Sequence, residues 1–318
     1  MSRVILENTQ TVGDLIGRAI RIYRLNFRSW IAVLIWPTII CVLGRVMLQS
    51  SVALLPHIPK TDGALPYIGL GVLGLVGFGV FIVTKWVLLV RQLAFVRLAN
   101  GFSDSLKESL SHMYKRQWSI LGAGILVSFI SGAVVILWMI ELFASAMLYR
   151  RDSFMVIPSS LGMIFGFFAM WASLSFIYYV LLIISAGIAC EKESLTTMIT
   201  RGFKLCGKSV MRTLYLGFLV WMVTYFISFP LWLPPYIVIG VDFFRLGHEM
   251  NLLEQPPVHW QVISAAWEPL VEMVIWPITF LSYGFYYYDL RLRQEAVDVA
   301  LHIELENESA EALREASF

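Results

Sequence analysis

Residues 153–190 carry no charged side chain at all. That stretch is too long for one straight crossing of a bilayer, which takes about 20 apolar residues of helix. Counting crossing-length apolar stretches along the chain gives six. They are 30–48, 65–90, 118–140, 160–189 within the uncharged stretch, 213–234 and 262–288. The first is interrupted by Arg45 and the second holds Lys85 near its end. Pro234-Pro235 closes the fifth, and the sixth carries Glu268 and Glu272. The expected fold is all-α, a polytopic bundle of six transmembrane helices.

Composition agrees and excludes the soluble classes. Apolar residues make up 58% of the chain and charged residues 14%, with a mean hydropathy of +0.73. A soluble domain sits near 45–50% and roughly 25%. Cys41, Cys190 and Cys206 have neither paired nor zinc-type spacing, so they read as free thiols. The first 28 residues are polar or amphipathic, unlike a cleavable signal peptide.

The charges are sorted by side. Eighteen lysines and arginines fall before the first span, between spans two and three, between four and five, or after the sixth. Only Lys60, Arg150, Arg151 and Arg245 fall on the other side. The positive-inside rule then makes both termini cytoplasmic. Three segments follow: a basic amphipathic helix over 1–29, a membrane domain over 30–288, and an acidic cytoplasmic tail over 289–318.

The basic helix opens on Thr11, with Asp14 in its first turn. Leu15, Ile16, Ala19, Ile20, Tyr23 and Phe27 share one face; Arg18, Arg21, Arg24 and Arg28 occupy the others. Such a helix suits a membrane surface, its guanidinium groups near anionic headgroups. Similar stretches follow Asp104 and Glu193, at intervals of about ninety residues, each running through a basic cluster into a span. The chain reads as three copies of one unit: a surface helix, a span out and a span back.

The opening TVGDLIGRAIRIYRLNF, the loop ACEKESLTTMITRGFKLCGKS and the stretch YYYDLRLRQEAVDVAL together resemble a broad bacterial family. This is the membrane-domain family of glycerophosphoryl diester phosphodiesterases, with its six-span relatives. In the closing motif the matching residues are Tyr288, Asp289, Arg291, Arg293 and Glu295; Ala296 stands where the family commonly has glycine. The resemblance implies a six-helix membrane domain in the bacterial cytoplasmic membrane. The catalytic domain carried by some relatives, with its His-Arg pair and Glu-x-Asp, has no counterpart here.

No GxSxG, Walker loop, HExxH or CxxC occurs, and no histidine has a second ligand at helical spacing. Neither an enzyme, a cofactor, a metal site nor a nucleic-acid partner is expected. Glu268 and Glu272 lie four apart on one helical face, and buried carboxylates in lipid need a partner. Counting helical rise from opposite ends puts Arg45 and Glu272 at similar depth, either as a structural pair or as a proton or solute relay. Glu268 then lies nearer the surface and Lys85 snorkels to the headgroups. Trp30 and Trp118 sit where interface anchors do. The leading expectation is a non-enzymatic scaffold or lipid-interacting protein; a transporter or channel is the alternative.

Overall fold

The computed structural model describes residues 10–58, 63–151, 156–246 and 257–315; within 148–151, 156–159, 243–246 and 295–315 it describes the backbone alone. All the regular elements among the described residues are helical. Six are long and apolar enough to cross a membrane: α2 (Phe27–Leu54), α3 (Leu65–Ala99), α4 (Leu106–Arg151), α5 (Val156–Cys190), α7 (Val210–Leu246) and α8 (Val258–Glu315). Two short helices, α1 (Val12–Leu25) and α6 (Leu195–Gly207), lead into α2 and α7. Large apolar side chains such as Trp36, Phe165, Phe168 and Trp171 are exposed on the long helices. Patches of that kind are untenable in water and expected against lipid. The chain is an all-α, six-span integral membrane protein.

The chain divides into two compact units. The first takes the described parts of Met1–Gly17, Val96–Leu219 and Ser282–Phe318; the second takes Arg18–Phe95 and Val220–Leu281.

Within the first unit, α4 packs along α5, and α6 packs against both. Glycines allow the closest approaches. A Cβ on Gly202 of α6 would run into Ile184, and one on Gly217 into the Tyr179 ring. The helix starts carry the caps that their sequences suggest. Thr11 Oγ1 accepts the Asp14 N–H at 3.2 Å, Ser105 Oγ the Glu108 N–H at 3.2 Å, and Ser194 Oγ the Thr197 N–H at 3.2 Å. The end of α3 is a Schellman turn: Gly101 has φ of +78°, and the Phe102 N–H reaches Arg97 O at 3.2 Å. Only glycine adopts that backbone without strain.

Within the second unit, α2 and α3 cross backbone to backbone. A Cβ on Gly44 would lie 2.7 Å from the Phe81 nitrogen; one on Gly77 would lie 2.6 Å from the Leu48 nitrogen. Gly74 meets Ser51, whereas Gly69, Gly71 and Gly79 meet nothing. Small residues permit such contact where lipid supplies no hydrophobic drive. Of the five glycines of the second span, Gly77 therefore makes the crossing with Gly44 of α2, and Gly74 lies beside it.

Two expectations about the spans are corrected. Pro234-Pro235 does not end the fifth span; α7 continues through both to Leu246. Proline at 235 removes the N–H that would bond Leu231 O, and the Trp267 indole donates to that carbonyl instead, at 2.7 Å. Pro37 of α2 is handled alike: Val33 O, which a residue 37 N–H would have bonded, accepts from Arg91 Nη1 at 2.6 Å. Trp30 is not an interface anchor. It is 1% exposed and stacks on Phe95 with ring centroids 3.9 Å apart. Trp118 is exposed, as an anchor would be.

The three repeat units are also not alike. Breaks at Asn26 and Lys208 separate α1 from α2 and α6 from α7. The middle copy has no break, because KRQWSI contains neither glycine nor asparagine, and surface helix and span merge in α4. The last span likewise runs on unbroken, so 289–315 continues α8. The acidic side chains beyond Gln294 lie outside the described residues, Glu295 among them.

Candidate functional site

The charges inside the spans of the second unit are paired, but not as helical counting suggests. Arg45 Nη2 donates to Glu268 Oε2 at 2.9 Å. Glu272 is taken by Lys85, whose ammonium contacts Glu272 Oε2 and does not snorkel away. The expected Arg45–Glu272 pair is therefore corrected to two pairs. The reason lies in α3, which the counting left out. Its antiparallel crossing at Gly44 and Gly77 sets Lys85 two turns beyond Gly77, roughly one turn nearer the start of α2 than Arg45. Glu272 is the same one turn along α8 from Glu268.

The result is a stack of polar layers. Gln49 Nε2 donates to Gln261 Oε1 at 2.9 Å; next come Arg45 with Glu268, and then Lys85 with Glu272. Phe81 stands between the cations, its ring centroid 5.2 Å from the Arg45 guanidinium carbon and 5.5 Å from Lys85 Nζ. Cation–π attraction of this kind adds to each pair. Each ion pair borders a cavity. One of about 130 Å³ touches Lys85, Gln92, Glu272 and Trp276. Another of about 300 Å³ touches Arg45, Gln49, Trp260 and Glu268. The stack cancels its own charge, and its partners come from three helices. It can hold α2, α3 and α8 in register, and it can offer a polar foothold to a small solute.

The first unit holds a second constellation, around the tyrosine-rich motif at the end of the last span. Asp289 is fully buried, and its carboxylate accepts three hydrogen bonds. Gln10 N–H donates to Oδ1 at 2.8 Å; Arg212 Nη2 and Arg293 Nε donate to Oδ2 at 2.7 and 2.9 Å. The same two arginines reach Gln10 O at 2.7 and 3.0 Å, so Gln10 is clamped through both its backbone groups. The other face of the motif serves the α5–α6 loop. Tyr287 and Arg291, four apart, both donate to Glu191 Oε1, and Arg201 takes Glu191 Oε2 at 2.6 Å. Tyr288 packs its ring against Phe102 at 5.3 Å between centroids. Sequence reading picked out the motif but missed its partners Gln10, Glu191 and Arg212.

Arg97 and Arg116 act on the carbonyls left over where α5 ends. Arg97 Nη1 donates to Ala189 O and Cys190 O, each at 3.0 Å; Arg116 donates to Glu191 O and Glu193 O. A helix leaves its last carbonyls without partners, and cations there also oppose the negative end of the dipole. The first unit thus closes one end with arginines.

The candidate lipid-contact residues divide. Leu15, Ile16, Ala19 and Tyr23 of α1 are buried within the protein, so this face does not lie on an acyl boundary. Arg18 is half-buried, while Arg21, Arg24 and Arg28 are exposed. Lys107 and Lys115 of α4 and Lys204 and Lys208 at α6 are exposed too. Each of these groups stands directly before an apolar span. Cys206, nearby on α6, is buried, which pushes its thiol up to about 12. Among the described residues, no three histidine, cysteine, aspartate or glutamate side chains gather as metal ligands would.

Compared with family models, with curated proteins and with solved structures, the chain matches none of them.

Proposed function

We propose that this chain is a non-enzymatic scaffold of the bacterial cytoplasmic membrane that gathers anionic lipid along its cytoplasmic edge. Both termini lie in the cytoplasm, and kinship with the membrane-domain family of glycerophosphoryl diester phosphodiesterases accounts for the closing motif. The observation that carries the reading is the position of exposed cations without acidic partners among the described residues. Arg21, Arg24 and Arg28 precede α2; Lys107 and Lys115 lie in the first turns of α4; Lys204 and Lys208 precede α7. Other basic residues nearby, Arg97, Arg116, Arg212 and Arg293, are used up inside the protein. The exposed set is therefore surplus to folding. Because the apolar face of α1 is buried, that helix is held in place by protein and offers its arginines outward.

The test is lipid preference of the full-length protein in vesicles, read by quenching of its tryptophans with brominated anionic or zwitterionic lipid. Each basic residue near an anionic surface is worth about 1 kcal/mol. Arg21→Gln, Arg24→Gln and Arg28→Gln together should lower the preference for anionic lipid, by up to about 3 kcal/mol if the contributions add. Equal preference in the parent protein contradicts the proposal.

A second reading, transport of a small solute, is favoured by the cavities beside Arg45–Glu268 and Lys85–Glu272. On that reading a Lys85→Leu, Glu272→Leu protein folds and keeps its lipid preference but loses solute flux.

A further inference from the structure

A groove on the first unit, of about 290 Å³, is lined by Thr197, Thr200, Arg201, Lys204, Lys208 and Gln294. The first five come from α6 and its C-cap, and Gln294 comes from α8. Thr197, Arg201, Lys204 and Lys208 follow one another at spacings of four, three and four residues. That spacing lines them along one stripe of the helix.

The stripe is fixed in place. On the opposite face Met198, Gly202, Leu205 and Cys206 are buried, and Gly202 sits tight under Ile184. Gln294 Nε2 donates to Leu205 O at 2.9 Å and to Ser209 Oγ at 3.3 Å, which ties the second wall to the first. Those bonds also occupy acceptors that would otherwise oppose an anion.

The charge of the groove is unbalanced. Arg201 is offset by Glu191 and Glu193, at 2.6 and 3.0 Å. Lys204 and Lys208 have no acidic partner among the described residues. Two ammonium groups and a guanidinium therefore line one concavity, while the hydroxyls of Thr197 and Thr200 are held within α6 by Ser194 Oγ and Thr196 O. Multiply charged tetrahedral oxyanions are the ligands that such donors suit. The groove ends at Lys208, two residues before α7 enters its span, which is the level of lipid headgroups.

We propose that this groove is a phosphate-binding site that takes the phosphate of an anionic phospholipid headgroup. The phosphate chemistry follows from the groove itself; the lipid source rests on the reading of the cytoplasmic edge given above.

The experiment uses the full-length protein in detergent with two probes, short-chain phosphatidylglycerol and inorganic phosphate, each titrated separately. The Lys204→Gln, Lys208→Gln protein should bind the short-chain lipid roughly tenfold or more weakly. Lys192→Gln, an exposed position outside the groove, should leave binding unchanged, and Lys204→Arg with Lys208→Arg should restore it. Unchanged binding in the double glutamine protein overturns the site. Equal binding of inorganic phosphate with the same lysine dependence assigns the groove to the free anion and overturns the lipid. If instead Arg21→Gln, Arg24→Gln and Arg28→Gln abolish binding and the lysine pair does not, headgroups are held at α1. The groove then fails while the wider reading stands.

Discussion

At the scale of the residue, the four intramembrane charges are the sharpest case. An isolated charge at the centre of a span costs about 2.5–3.5 kcal/mol on insertion scales, so each needs a partner. Sequence supplied the right residues and one wrong pairing, because depth counted along two helices says nothing of the third. Lys85 reads as a snorkelling lysine until the crossing at Gly44 and Gly77 is known. The pairing has a direct test in thermal unfolding of the detergent-solubilised protein. Arg45→Leu strands Glu268, and adding Glu268→Leu should recover most of the loss, since removing both members of a pair is often tolerated. Adding Glu272→Leu to Arg45→Leu should deepen the loss, because Lys85 is then stranded as well. Recovery by Glu272→Leu in place of Glu268→Leu would show that the pairing is wrong. The Asp289 node follows the same logic at a helix end. Its i, i+4 pattern, Tyr287 with Arg291 and Asp289 with Arg293, is visible in sequence, but the partners lie 77 to 283 residues away and are not.

At the scale of the element, what sequence disclosed depended on whether the signal was local. The cap at Thr11 was legible as local chemistry, and the caps at Ser105 and Ser194 and the glycine turn at Gly101, found only in the structure, are of the same local kind. The continuation of α7 through Pro234 and Pro235 is not, since it relies on the Trp267 indole replacing a lost backbone donor at Leu231 O. Trp30 likewise reads as an anchor until Phe95 and Tyr23 are found around it. The glycines of α3 show the same division, because all five look alike in sequence. Gly44→Ala or Gly77→Ala pushes a methyl group into the partner backbone, which has nowhere to move. Either change should cost on the order of 1–3 kcal/mol, as overpacking does. Gly79→Ala meets open space and should be neutral or mildly stabilising through helix propensity. Equal effects at 77 and 79, measured by unfolding in detergent, would mean that α2 and α3 do not cross there.

At the scale of the whole molecule, the six spans were legible from runs of apolar residues alone, because hydrocarbon admits few alternatives. The division into two units was not legible, since α3, α7 and α8 each contribute to both and no linker marks a boundary. The proposed function depends above all on which side the basic helices face. Anionic lipid gathers at α1, α6 and the start of α4 on the cytoplasmic side only if these three share that side. Cysteine accessibility in intact cells reads this directly, and the native background is silent. Cys41, Cys190 and Cys206 are all buried, and the raised thiol of Cys206 keeps it from forming the reactive thiolate near neutral pH. With a membrane-impermeant maleimide, Ala64→Cys, exposed between α2 and α3, should label in intact cells. Lys107→Cys and Lys204→Cys should label only after permeabilisation. Labelling of Lys204→Cys from outside the intact cell would contradict the topology and, with it, the proposed contact with cytoplasmic-leaflet lipid.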